Sequence, residues 1–366
     1  MKEWKFHALL LFTIFLLGGV VYSTSPYHIR LERLHLGKVV RTSDNIDYDA
    51  PTKVGFQDVW VKVNGKIYRF GNLLRGNWLL DEYFSKGETV LVALRGNEIE
   101  YVVSKKVLVV GLYALLFALT IIAVAGKKGF RVVLALVYTF TIIFLILYPL
   151  ILRGWNPALL SLVTLFAISA LTMGTVAGFN EKGLAATLGS FLGILSAGLL
   201  GLIGLELSGL NPGGFTEFSE MLFFSGHFLD MKALFIGTLI MSSSGAIMDV
   251  SIDIASGLYE VHKKAKITGE ELFKSGMNIG RDIIGTMANT LILVYAGEMT
   301  AGILFFMAKN APLAVILDYN FIAAEALLAL SGSIALALTI PFTAFVCSKL
   351  YGVSLKGDKT LITFGN

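Results

Sequence analysis

Asp249, Asp253, Ser256 and Glu260 lie in MSSSGAIMDVSIDIASGLYEV, a stretch that continues an apolar run. At about 100° per residue they share a narrow arc of one helix face. A second set, Asn278, Asp282, Thr286 and Asn289, forms the same kind of stripe in SGMNIGRDIIGTMANTLILVYAGE, with Arg281 beside it. An Asp at the centre of a membrane helix costs roughly 2.5–3.5 kcal/mol on insertion scales, so two call for a partner or water. Carboxylates with nearby amides and hydroxyls can hold a cation or a proton. Stripes on consecutive helices most simply face each other, with Asp253 the best-placed acid for Arg281 and a polar pocket opening toward the cytoplasm. Gly245, Gly257, Gly276, Gly280, Gly285 and Gly297 would allow unwound or closely packed backbone there. The competing reading is structural: buried ion pairs and Asn ladders also hold helices in register.

The rest of the chain must supply a membrane for these groups. Of 366 residues 55% are hydrophobic and only 15% charged, with mean hydropathy +0.73. Soluble domains carry about 25% charged residues, so this is a membrane protein. About eight apolar runs are long enough to span: Phe6–Tyr22, Val107–Ala125, Val132–Leu152, Pro157–Phe179, Leu184–Leu205, Ala233–Met248, Ile283–Met307 and Phe321–Ser348. Lys2 and Lys5, then Lys127, Lys128 and Arg131, then Lys182, then Lys263, Lys264, Lys266 and Lys274, then Lys349, Lys356 and Lys359 fall in every second connection. That alternation predicts both termini on the cytoplasmic side of the cell membrane. It also places Glu260 near the headgroups, beside lysines. The first run lacks an Ala-x-Ala pattern, which favours an uncleaved anchor over a signal peptide. The net charge of +4 is explained by orientation rather than by nucleic acid.

Residues 24–106 read differently. Val59, Val61 and Val63 alternate with Trp60 and Lys62, and Asn64-Gly65 sits between two such runs. That dipeptide is a strong hairpin signal. Gly96-Asn97 repeats the pattern in KGETVLVALRGNEIEYVV. Short strands with tight turns predict a small extracytoplasmic β-barrel, OB-like, inserted after the first helix. The expected architecture is thus an all-α polytopic bundle with this inserted barrel. Residues 1–23 form an anchor, 24–106 the β domain, 107–349 the bundle and 350–366 a cytoplasmic tail.

Smaller features carry less. The loop 206–232 is Phe-rich and reads as an interfacial helix or a re-entrant segment. His227 is assigned no role. Ser161, Thr164, Ser169 and Thr172 are ordinary interhelical hydrogen bonders, and Glu298 and Glu325 form an additional candidate pair toward the external side. The single cysteine, Cys347, reads as a small core residue.

GAIMDVSIDIASGLYEV and GRDIIGTMANTLILVYAG, with GFNEKGLAATLGSFLG and the β-rich NGKIYRFGN…KGETVLV segment, resemble the YibE/F-like family of bacterial polytopic membrane proteins. The resemblance runs over nearly the whole chain. By position Asp249, Ser256, Glu260, Asp282, Thr286, Asn289 and Thr290 match the family motif. Asp253 stands where a small polar residue is expected, which favours Asp249 as the essential acid. What the resemblance implies is architecture, not chemistry.

The resulting expectation is a secondary transporter or permease of an ion or small solute. Its binding residues are Asp249, Asp253, Ser256, Glu260, Asn278, Arg281, Asp282, Thr286, Asn289 and Thr290, and whether a metal is bound is left open. A non-transporting scaffold is the alternative and an intramembrane hydrolase the more distant third. The P-loop and HExxH patterns are absent. The Gly-x-Gly-Asp of membrane aspartyl proteases is replaced by Asn278-Ile279-Gly280-Arg281-Asp282. No enzyme activity and no cofactor are therefore expected. Expected partners are the bilayer, the solute and a protein at the outer domain, but not nucleic acid; a homo-oligomer is compatible with all of this.

Overall fold

A computed structural model describes residues 2–24, 34–47, 52–77, 80–96, 98–226 and 229–354. Most of the tail at 350–366, His227 and Asn97 lie outside the described residues. The chain divides into two compact units, Ile29–Gly126 and the pair Met1–His28 with Lys127–Asn366.

The first unit is built on five strands: β1 (Leu34–Asp47), β2 (Val54–Val63), β3 (Lys66–Arg75), β4 (Thr89–Arg95) and β5 (Glu98–Ser104). They form one antiparallel sheet in the order β3-β2-β1-β4-β5, nearly closed where β3 approaches β5. Three hairpin-connected strands with the fourth returning beside the first make a Greek key. At the β2–β3 hairpin Asn64 has φ 48° and Gly65 φ 87°, the double positive φ that only such residues accept cheaply. Val59, Val61 and Val63 point inward with Val39, Phe84, Val90 and Val92. Gln57, fully buried, pins the segment after β3: its Nε2 donates to Asp44 Oδ1 (2.9 Å) and Phe84 O (3.0 Å), and Phe84 N donates to its Oε1 (3.1 Å).

The second unit is helical, and the first unit also ends in helix after β5. Among the described residues six helices are long and apolar enough to cross a membrane: Lys106–Leu152, Pro157–Val176, Glu181–Ser208, Met231–Ala265, Gly269–Ala308 and Asn320–Tyr351. Lys106–Leu152 comprises two helices: Val107–Ala125 lies before Gly126, and Val132–Leu152 after it, in the stretch α2 (Lys106–Ile142), a π-turn at Ile143–Leu147 and α3 (Tyr148–Leu152). The break between those runs is at Gly126 alone (φ 56°, ψ −128°). The first run lies in α1 (Lys2–Thr24), whose C-terminal carbonyl at Val21 accepts from Arg153 Nη2 (2.9 Å). Arg153, just after α3, is thus tied to the end of α1.

The bundle core is α4 (Pro157–Val176), α5 (Glu181–Ser208), α7 (Met231–Ala265), α8 (Gly269–Ala308) and α10 (Asn320–Ser354). Lipid is as apolar as leucine, so such helices associate by close packing over small residues. A Cβ on Gly189 would meet Thr343 Oγ1 at 2.2 Å, on Gly193 Thr339 Oγ1 at 2.1 Å, and on Gly201 Leu239 Cδ2 at 2.1 Å. These contacts hold α5 against α10 and α7. The connection at 206–232 contains a 3-10 turn (Pro212–Gly214) and the short α6 (Glu217–Phe224). Asn320, at the start of α10, fixes it by donating to Asn211 O (3.0 Å) and Gly214 O (2.7 Å). A last short helix, α9 (Leu313–Asp318), leads into α10.

Candidate functional site

The acids of the first stripe sit on α7, an unbroken helix of 35 residues. The second stripe sits on α8, an unbroken helix of 40. The local glycines therefore do not unwind either helix. Gly276 and Gly280 serve packing instead: a Cβ there would meet Ala344 Cβ at 2.7 Å and Ile340 Cγ2 at 2.1 Å on α10. Gly257 lets α7 approach Ile279 of α8 (3.1 Å), while Gly245, Gly285 and Gly297 meet nothing within 4 Å.

Packing fixes which way each stripe turns. On α8 the buried positions are Leu272, Gly276, Gly280, Leu291 and Tyr295. Asn278, Asp282 and Asn289 stand about half a turn round from Gly276, Gly280 and Leu291 by the 100° rule. All three are exposed, as are Arg281, Thr286 and Thr290. The polar stripe of α8 thus faces away from the core.

The stripe of α7 also turns outward but borders α8. Ser242 shares the arc of Asp249, Asp253 and Glu260, within about 20°. Ser242 is itself the acceptor for Tyr295 Oη of α8 (2.7 Å). Asp249, Asp253 and Glu260 are exposed and Ser256 is half-buried. The two cross-contacts, Ser242–Tyr295 and Gly257–Ile279, run antiparallel. They set Asp253 level with Asp282 and Asp249 level with Thr286, to within about one turn. The stripes share a depth but do not face each other.

Their hydrogen bonds are local. Arg281 Nη1 donates to Asn278 Oδ1 on its own helix (3.1 Å). Among the described residues no ion pair joins Arg281 to Asp253 or to any other acid. Thr286 donates to Ile283 O (2.9 Å) and Thr290 to Thr286 O (2.9 Å). Glu260 lies 4.0 Å from Lys264, both exposed, in keeping with a solvated helix end. Asp249 and Asp253 stand one turn apart, a like-charge spacing that is mildly destabilising on a helix. Among the described residues no cluster of three or more His, Cys, Asp or Glu is placed to hold a metal.

One polar group was undervalued from sequence. Glu325 of α10 is only 5% exposed, and its Oε2 has no hydrogen-bond partner. A glutamate inside a 35-residue apolar helix was the available signal.

The family model described as YibE/F-like protein matches residues 113–353. That span holds both stripes and is well over half of the chain. The chain belongs to the YibE/F-like family. The match begins within α2, so the strands lie before the YibE/F-like span and the family assignment rests on the helices. No curated protein and no solved structure matches this YibE/F-like chain.

Proposed function

We propose that this YibE/F-like integral membrane protein is a secondary transporter or permease for a cation or small solute, working as a homo-oligomer. The observation that carries this reading is the exposure of Asp249, Asp253, Arg281 and Asp282 on outward faces of two helices apolar enough to span a membrane. Set in lipid alone, each such group costs roughly 2.5–3.5 kcal/mol. A second copy laid over the same face removes that cost and encloses the polar groups between two subunits. Symmetric interfaces are self-complementary, so a face carrying both Arg281 and the two α7 acids suits itself. Open glycines at Gly245, Gly285 and Gly297 leave room for close helix approach. The repelling pair Asp249 and Asp253, with Ser256, Asn278, Thr286, Asn289 and Thr290, then provides oxygen ligands for a cation along that path, with Glu260 at its mouth.

The same proposal includes the topology. Split at Gly126 and joined by α1, the spans become eight, with both termini cytoplasmic and the sheet outside. The five-stranded, nearly closed Greek key supports an OB-like assignment for the outer domain, which could dock a protein partner. A scaffold reading draws on the same exposed faces and differs in giving cations no effect.

The test is melting temperature in detergent, with and without added cations, for the parent and Asp249→Asn. Cation-dependent stabilisation that the amide abolishes, at an unchanged basal melt, is the expected result. No cation effect in the parent favours the scaffold.

A further inference from the structure

A second acidic site lies on the other side of α8, between that helix and α10. Glu325, five residues into α10 and so about 8 Å along its axis, is 5% exposed. Glu298 of α8 reaches the Glu325 carboxyl within hydrogen-bonding distance, and the second Glu325 oxygen, Oε2, has no partner. Two carboxylates in such contact repel, whereas one proton between them turns repulsion into a hydrogen bond. Tyr295, Glu206 and Asp318 bring no positive charge to the pair. Tyr295, one turn before Glu298, donates its hydroxyl to Ser242 of α7 (2.7 Å). Glu206 of α5 pairs with Lys232 of α7. Asp318 of α9 adds only negative charge. Among the described residues no lysine, arginine or histidine is paired with either glutamate.

We infer that Glu298 and Glu325 together bind one exchangeable proton in the α8–α10 interface. The buried oxygen of Glu325 forms the dry end of the site. Glu298, exposed, is the end through which the proton enters and leaves; no other bond is made or broken. The site uses neither outward stripe, so it stands or falls apart from the transport reading.

The test treats the full-length protein in membranes with dicyclohexylcarbodiimide across a pH series and maps adducts by peptide mass spectrometry. This apolar reagent adds across a protonated carboxyl, giving an O-acylisourea that rearranges to a stable N-acylurea. In the parent an adduct should appear on Glu325 or Glu298 at acid pH. Once the proton is leaving, labelling should fall about tenfold per further pH unit. Glu298→Gln, which removes the like charge, should move the loss of Glu325 labelling to lower pH. Glu325→Gln should lower labelling at Glu298, because the shared proton has then lost its second carboxylate. Absence of adduct at both glutamates of the parent would overturn the inference. So would labelling that does not change with pH, the signature of a proton held permanently as structural glue.

Discussion

The buried contacts among α4, α5, α7 and α10 and the outer face of α7 and α8 treat polar groups in opposite ways. Inside, most polar side chains are hydroxyls with partners in the chain, while Ser161, Thr175, Ser333 and Glu325 each keep an atom without one. Ser169 and Ser190 hydrogen-bond at 2.6 Å, Thr343 donates to Ser251 at 3.3 Å, and Tyr351 donates to Ala255 O at 3.1 Å. On the outer face the groups are charged, and among the described residues they find no ion pair across the helices. Hydroxyls with partners are compatible with mere adhesion. Charges on an outward face of membrane helices need something from beyond the monomer. The difference separates groups that hold the fold from groups available to act.

The largest expected effect breaks the interior side of this contrast. Gly280→Leu forces a side chain into Ile340, where even a Cβ would stand 2.1 Å from Cγ2. It should lower stability by about 3 kcal/mol or more, read as lost folded yield or a lowered melt. Gly285→Leu, one and a half turns along, meets open space. It should leave the monomer's melt unchanged in detergent while reducing the oligomer in membranes. Equal damage from both would erase the distinction between the faces.

A smaller effect is expected at Ser190→Ala. This removes the partner of Ser169 in a fully buried contact, and the thermal melt should report a loss of about 1 kcal/mol. The smallest is Asp249→Asn. If the acid holds no helix in place, the change in unfolding free energy should stay within about 0.5 kcal/mol. A loss of about 3–5 kcal/mol, the cost of breaking a buried ion pair, would return Asp249 to the structural side.

The parts of this architecture written in local chemistry were legible from sequence. Asn64-Gly65 is readable because few residues tolerate two positive φ angles, and β2 and β3 flank it with the expected alternation. Helices of a spanning length are readable from hydropathy, with Gly126 parting two of the runs and α1 carrying the first. The stripes themselves were readable from the helical period. Their facing was not, because periodicity gives the arc a residue occupies and not the neighbour it meets. The turn of α8 is set by Ala344 and Ile340, far along the chain from Gly276 and Gly280, and no local pattern announces those contacts. Lipid removes the other cue, since an apolar face can be either buried or outward. The packing role of the glycines was open for the same reason.

Cysteine cross-linking in native membranes tests most directly whether a second copy covers the outer face. In a Cys347→Ala background, which removes the buried free thiol, Gly285→Cys and Asn289→Cys are oxidised and the chain is sized on a non-reducing gel. Both positions are open or exposed on the outward side of α8. A dimer band at one or both, absent for a cysteine placed at the lipid-facing Leu199 of α5, is the expected result. Monomer alone at Gly285 and Asn289, under conditions that oxidise a positive control, would contradict it.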